Sequence, residues 1–485
     1  MKINMQKGRI IITAWIFAIA MGMQGFSQDN PVPAGPLSLQ QCVEIALKNN
    51  IPLQQNTLLI DAAKGNLDQA KASLLPNLNG NWGYNWNTGR TIDPFTNGYI
   101  DQKYSSSSAG LNSGIILSQG LQLQNAIKQT SYAYQATKEE NQQQKDNLTL
   151  NVIMYYLMVL NSEDLLEISK EQSTVTQGQV DRTKILVDEG QVGSYQLSDL
   201  KGQLAGEQMT IVNNQVALET AKLNLCQAMN IPYTKDLKLQ RLDDASLLEI
   251  YGASSDQVYN AALTSLAQVK AVDLRAKSAQ KGLAYAKGGY FPQLSLNGGL
   301  STNYSSIASI SNPTTTSEIS TGDYVYDAGV KNPVLRQQQN YSNEIISYGS
   351  QFKNNVGTYV GFYLSVPIFN NLRVRNRVIQ ARVIERTADL EAKNTRLVLK
   401  QSVEQAHQNM ESAYERLKIS NEQVLQFQES FRSAEIRFNE GTIVSTDYLI
   451  VKNSLDRAKV NLAQTRYEYI FRTKILDFYQ GKQLW

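Results

Sequence analysis

The sequence predicts an elongated α+β fold, a duplicated unit in which long coiled-coil helical hairpins carry short pairs of strands. Three observations predict it: an unbroken three-four apolar spacing between Val403 and Tyr479, self-similarity at fixed offsets along the chain, and four segments whose polarity alternates residue by residue.

The chain opens on a segment with the order of a secretory signal. Lys2, Lys7 and Arg9 precede the apolar run Ile10 to Met23, and Gly25-Phe26-Ser27 supplies small residues at a cleavage site. The alternative is a membrane anchor, but the run is shorter than the ~20 residues that span a bilayer. Residues 1–27 are therefore expected to be a signal peptide. The next longest apolar run, Val152 to Leu160, is also too short, so entry into a membrane would have to use β-structure.

Two helices follow, one opened by Leu37-Ser38-Leu39-Gln40-Gln41 and running through Asn50, and one from Pro52 to Leu75. A shift of 216 positions brings Ala46-Leu47 onto Ala262-Leu263, Leu67 onto Leu283, Pro76 onto Pro292 and Asn81 onto Asn297. A shift of 251 brings Glu189-Gly190 onto Glu440-Gly441, Ser194 onto Ser445, and the seam Leu197, Leu200, Leu204, Ile211, Leu218, Leu225 onto Tyr448, Val451, Leu455, Leu462, Tyr469, Leu476. The expected organisation is a first repeat over 28–230, a connecting segment over 231–255 and a second repeat over 256–485.

Each repeat holds two alternating segments, expected near 77–88 and 107–121 in the first and near 292–304 and 355–368 in the second. After Pro76 one face reads Leu78, Gly80, Trp82, Tyr84, Trp86, and the other Asn77, Asn79, Asn81, Gly83, Asn85, Asn87. In the last segment Val356, Val360, Phe362, Leu364 and Val366 oppose Gly357, Tyr359, Gly361, Tyr363 and Ser365. About ten residues, apolar on one side and polar or small on the other, is the pattern of a transmembrane strand. A half-buried sheet of a soluble domain gives the same alternation. The Asn- and Ser-rich face favours a wet lumen, and Trp82, Tyr84 and Trp86 suit an interfacial aromatic girdle. The segments 88–106 and 303–354, rich in Ser, Thr, Asn and Gly, read as outer loops.

The second hairpin shows its seam most clearly. Its first arm carries Val403, Ala406, Met410, Ala413, Leu417, Ser420, Val424, Phe427, Phe431, Ala434 and Phe438 at coiled-coil spacing. Extended upstream to about Val374, that arm is about 100 Å long. Gly441 is placed to stop it, and Ser445 or Thr446 to cap the next helix. Four strands leave open edges, so other copies must complete a barrel. Three copies give twelve strands, enough for an aqueous pore.

Composition narrows the function classes. Lys2, Lys7 and Arg9 account for the whole excess of 46 basic over 43 acidic side chains, so the remainder is neutral and does not suit nucleic acid. Cys42 and Cys226 fall within helical patterns as small core residues, and the single His407 lies beside the seam without metal-spaced neighbours. Nothing assembles a catalytic site, and no cofactor or metal is expected.

In this order and spacing the motifs resemble the TolC-like outer-membrane efflux proteins over nearly the whole mature chain. The resemblance rests on Leu39 to Asn50, on Leu74-Leu75-Pro76 and Tyr290-Phe291-Pro292, on Val366-Pro367-Ile368-Phe369-Asn370-Asn371, and on the tips Glu189-Gly190 and Asn439-Glu440-Gly441. It implies a homotrimer in the outer membrane of a Gram-negative cell, with a twelve-stranded β-barrel and a helical α-barrel crossing the periplasm. It also implies hairpin tips that meet a periplasmic adaptor, an inner-membrane pump as energy source, and export of drugs, toxic solutes or secreted proteins in a tripartite or type I secretion system. The tip residues so implied are Gly190, Gln191, Val192, Ser194, Gly441, Thr442, Ile443 and Ser445. The carboxylates that narrow the pore in this family correspond to Asp199 in the first repeat and Asp447 in the second, each repeat keeping one acid of a pair. The bland alternative for both is an ordinary helix N-terminal charge. The competing class is a non-conducting periplasmic coiled-coil scaffold or adhesin, which needs no hydrated strand face.

Overall fold

The computed structural model describes residues 35–92, 97–101, 103–242 and 250–484. The expected signal peptide, residues 1–27, lies outside the described residues.

Each repeat begins with a capped helix pair. Ser38 accepts from the Gln41 amide while the Gln41 side chain accepts from the Ser38 amide, opening α1 (Leu39–Asn49). Asn50 then caps α2 (Ile51–Ala72), with Pro52 in its first turn. In the second repeat Ser254 and Gln257 form the same box ahead of α5 (Ser255–Ser265), and α6 is Ala267–Gly288. The long hairpins are α3 (Gln122–Asp188) with α4 (Ser194–Ala228), and α8 (Arg373–Asn439) with α9 (Ser445–Tyr479). Paired elements have equal lengths: 11 residues for α1 and α5, 22 for α2 and α6, 67 for α3 and α8, and 35 for α4 and α9.

Strand entry into the long helices also repeats. Gly120 and Leu121 take φ of 55° and 61°, and Asn371 and Leu372 take 55° and 59°. Two consecutive left-handed residues turn the chain sharply from strand to helix. At Gly120 a Cβ would meet the Gly288 carbonyl and Phe291 Cβ, each at 2.6 Å, so the crossing of strand end and α6 requires a bare backbone there.

The strands are β1 (Asn77–Asn87), β2 (Arg90–Ile92), β3 (Tyr99–Asp101), β4 (Tyr104–Gln119), β5 (Gln293–Ser305), β6 (Ser309–Asp327), β7 (Val330–Ile345) and β8 (Gly357–Ser365). They form an antiparallel sheet in the order β1-β4-β5-β8 and two separate ribbons, β2-β3 and β6-β7. The segment 303–354 differs from the loop expected of it: it holds β6, β7 and the short helix α7 (Tyr348–Asn354). The insertion falls where the offset between repeats grows from 216 to 251.

Burial follows the seam. Val403, Met410 and Ala413 are buried against α5 and α9 with Tyr469 and Leu476. A second core at the equator joins α1, α3 and α4 through Cys42, Val43, Tyr156 and Leu225. There the Tyr156 hydroxyl donates to the Leu37 carbonyl, which belongs to a parallel bridge between Leu37 and Leu239. A third joins the two hairpins near their tips through Val180, Leu200, Phe431, Tyr448 and Leu455. Each such leucine contributes about 1.5–3 kcal/mol by leaving water. Phe427 is the seam position that stays exposed, at 37%.

Candidate functional site: the sheet and the hairpin tips

The sheet register sorts the strand residues onto two unlike faces. On one, Gly80, Leu111, Leu300 and Thr358 lie in one row, and Ile115, Leu296 and Phe362 in another. This face is bare: Leu78 is 72% exposed, Val360 80% and Phe362 71%. Apolar side chains fully presented to water would be costly over such an area. Trp82, Tyr84 and Trp86 stand on the same face opposite Ala109, Ser107 and Ser105. Trp82 and Trp86 are exposed, and Tyr84 is half-buried with its ring 5.0 Å from Trp86.

The other face is an amide and hydroxyl wall. Asn79, Asn112, Gly299 and Tyr359 form one row, and Asn81, Gly110, Ser301 and Gly357 the next. Asn77 Oδ1 accepts from the Gly114 amide at 2.8 Å, and Asn112 Nδ2 donates to Asn81 Oδ1 at 3.3 Å. A Cβ at Gly114 would stand 2.5 Å from Asn297 Oδ1, so glycine makes room for the asparagines. No Asp, Glu, Lys, Arg or His occurs on β1, β4, β5 or β8. Both outer edges of this sheet, β1 and β8, lack a strand partner among the described residues.

At the far end of the helices the two tips are alike. Gly190 (φ 74°) and Gly441 (φ 73°) end α3 and α8 in the left-handed region. The Gln191 amide donates to the Leu186 carbonyl and the Thr442 amide to the Arg437 carbonyl, which satisfies the last turns. Gly190, Gln191, Ser194, Gly441 and Thr442 are exposed, whereas Val192 and Ile443 are half-buried. The Arg182 guanidinium donates to the Asn439 carbonyl at 2.6 Å and ties one tip to the other.

Ser445 departs from its expected part. It neither caps α9, whose N-cap is Val444 without a side-chain bond, nor lies exposed at the tip. It is fully buried and donates to the Asp199 carboxylate at 2.9 Å. Asp199 is thereby half-buried between the hairpins, while Asp447 stands exposed in the first turn of α9.

A buried ionic knot escaped the sequence reading. Lys452 Nζ lies 2.7 Å from both Glu207 Oε1 on α4 and Asp456 Oδ2 on its own helix, with side-chain exposures of 2%, 8% and 17%. Thr176 of α3 donates to the same Glu207 oxygen at 3.0 Å, and Gln203 bridges Glu207 and Asn453. The available signal was the i,i+4 pair Lys452–Asp456; its partner on the other repeat had none. Cys42 and Cys226 are free and buried, and burial pushes the Cys42 thiol up to about 12. Among the described residues no His, Cys, Asp and Glu cluster could hold a metal, and no helix is long and apolar enough to cross a membrane.

A sheet apolar on one face and polar on the other, standing on long helical hairpins, has the architecture of an outer-membrane channel subunit. The sequence profile of the outer membrane efflux protein family matches residues 42–230 and 258–476, and the chain belongs to that family. Its place is the outer membrane with extension into the periplasm, and its class is a conduit for efflux. No curated protein matches the chain. Among solved structures it is similar to the transmembrane-channel protein CusC, at 18% identity and TM-score 0.69, covering 94% of this chain and 96% of that one. It is similar to the Campylobacter jejuni outer membrane channel CmeC at 15% identity and TM-score 0.70, covering 91% and 85%. It is also similar to the Vibrio cholerae outer membrane protein VceC at 13% identity and TM-score 0.74, covering 92% and 97%. At these identities the likeness is one of fold.

Proposed function

We propose that three copies join edge to edge into a twelve-stranded barrel whose polar face lines the pore, and that the hairpins continue it as a periplasmic duct. The conduit is passive. A periplasmic adaptor meets the tips, an inner-membrane pump supplies the energy, and drugs, toxic solutes or secreted proteins are the cargo. Residues 1–27 are removed on export. The observation that carries this reading is the pair of open edges, β1 and β8, on a sheet with one lipid-like and one water-like face.

The internal duplication supplies the register of closure. β4 pairs with β5 across the two repeats, so β8 of one copy pairs with β1 of the next in the same way. Asn112↔Gly299 becomes Tyr363 opposite Gly83 of the next copy, and Leu111↔Leu300 becomes Phe362 opposite Tyr84. That register lays Phe362 and Leu364 beside the girdle residues Tyr84 and Trp82, apolar against apolar. Gly83→Cys with Tyr363→Cys should form an intermolecular disulfide and give a covalent trimer in denaturing gels. Absence of the trimer band, with a shifted pair such as Gly83→Cys with Phe362→Cys also unlinked, would refute closure through these edges.

A further inference from the structure

Charge changes abruptly where the sheet meets the helices. β1, β4, β5 and β8 carry none. The eleven residues of α2, α3, α6 and α8 nearest the sheet, about 16 Å of each helix, hold nine basic side chains and one acidic, Asp68. At the opposite rim, β2, β3, β6 and β7 together hold three basic and five acidic side chains. The chain beyond residue 27 is neutral as a whole, so the basic belt is a local accumulation.

Four of the nine are arginines of α8. Arg373, Arg375, Arg377 and Arg382 are exposed and make no ion pair among the described residues. The fold does not ask for them: the equivalent positions of α3, 251 residues earlier, hold Gln122, Gln124, Ala126 and Ser131. At the adjoining end of the sheet Leu75 and Phe291 are exposed, and Ile368 is 93% exposed. An apolar band that gives way to a basic one is the profile of a hydrocarbon edge followed by headgroups.

The arginines are sorted by flank. Val374, Val378 and Ala381 turn to Leu283 and Ala286 of α6. At about 100° per residue, that seam leaves Arg375 and Arg382 on one flank of α8 and Arg373 and Arg377 on the other. The hand of the sheet decides which flank is outer. The Ser105 carbonyl accepts from the Ser306 amide and the Gly114 amide donates to Asn77, so odd-numbered residues of β4 turn their backbone groups to β5 and even-numbered ones to β1. The odd-numbered side chains, Leu111 among them, stand on the apolar face. For L-residues, β5 then lies left of β4 when that face is viewed with the helices below, and α6 lies right of α8. A right-handed helix descending there presents Arg375 and Arg382 on the viewer's side, the side of the lipid-like face.

We propose that this outer flank binds the headgroups of anionic phospholipid, such as phosphatidylglycerol, in the periplasmic leaflet of the outer membrane. A planar guanidinium takes a phosphate through two parallel hydrogen bonds. Arg375 and Arg382 span about 10 Å of the helix axis, which a headgroup layer of about 5–8 Å and the reach of an arginine stem together cover. The belt thereby fixes the depth of the sheet in the bilayer. The proposal rests on the sheet's place in the membrane and not on the number of copies that close the barrel.

The test uses the full-length protein in nanodiscs of phosphatidylcholine with a minority of phosphatidylglycerol. The protein is then extracted in mild detergent, and the retained lipid is measured by mass spectrometry. Phosphatidylglycerol should be enriched about fivefold over its share in the disc, the discrimination that one cation near an anionic surface supplies. Arg375→Gln/Arg382→Gln should lose most of that enrichment. Arg373→Gln/Arg377→Gln, on the opposite flank of the same helix, should keep it. Both variants should give the circular dichroism of the parent protein, since glutamine already serves at the equivalent Gln122 and Gln124. Retention in proportion to the disc, or equal loss in the two variants, would overturn the proposal. Excess inorganic phosphate should leave the lipid in place, and its displacement would assign the flank to a free anion instead.

Discussion

At the residue scale the decisive group is Lys452. A cation taken out of water between two carboxylates holds the two repeats together near their tips, and removing it strands both acids. Lys452→Met should destabilise the fold by about 3–5 kcal/mol, the usual cost of breaking a buried ion pair, read as a lowered unfolding midpoint. Combining it with Glu207→Gln should recover much of the loss. Asp456 adds a pH dependence. Burial, offset in part by Lys452, raises its carboxyl above the ordinary value of 3.8. The folded chain thus holds this proton more tightly than the unfolded chain. Its contribution to stability is full below pH 3.8 and is lost as pH rises through the raised value. Asp456→Asn should flatten the fall of the unfolding midpoint as pH rises above 3.8, and a slope unchanged by the substitution would assign it elsewhere. Only the i,i+4 pair Lys452–Asp456 is legible in the sequence; its burial and the Glu207 partner are not, since Lys452 follows a seam residue at a position that reads as solvated. Ser445 was misread for a related reason. A serine at a helix start suggests a cap, and only the other hairpin reveals that its hydroxyl is engaged by Asp199.

At the scale of elements, helices and strand faces were legible because both rest on short periods. The three-four seam places Val403, Met410 and Leu476 in the core, and the two-residue period separates Asn79 from Leu78. The segment 303–354 was not, because Ser, Thr, Asn and Gln are neutral about strand or loop and two irregularities interrupt its alternation. The strand-to-helix turns show the limits of composition as well. Gly120 and Asn371 occupy equivalent left-handed positions, but only Gly120 is pressed against Gly288 and Phe291. Asn371→Gly should therefore be tolerated within about 0.5 kcal/mol, whereas Gly120→Val combines left-handed strain of about 1–2 kcal/mol with a backbone clash. Heat-modifiable migration of the assembled protein should survive the first substitution and be lost with the second.

For the whole molecule, the four-stranded wall bears no fixed charge, so any ionic preference of the conduit has to arise outside it, in the ribbons or in the helical part. In the proposed trimer, Asp199 and Asp447 would place six carboxylates near the tips. The double variant Asp199→Asn/Asp447→Asn should abolish cation preference, measured as the reversal potential in a salt gradient. A preference that persists would exclude these acids as its source. Asp447 is the more telling of the two, because Asp199 is already engaged by Ser445.

The equal lengths of the paired helices have a mechanical consequence. Each copy stands on two struts of the same height, with 67-residue outgoing limbs and 35-residue returning limbs, cross-braced by Lys452 and by the Arg182–Asn439 contact. A push or pull along the axis is then shared between both struts, and in the proposed trimer the ring of tips would stay level. Shortening one strut by a heptad in each limb would tilt that ring by about 10 Å on one side of every copy, while shortening both would merely lower it.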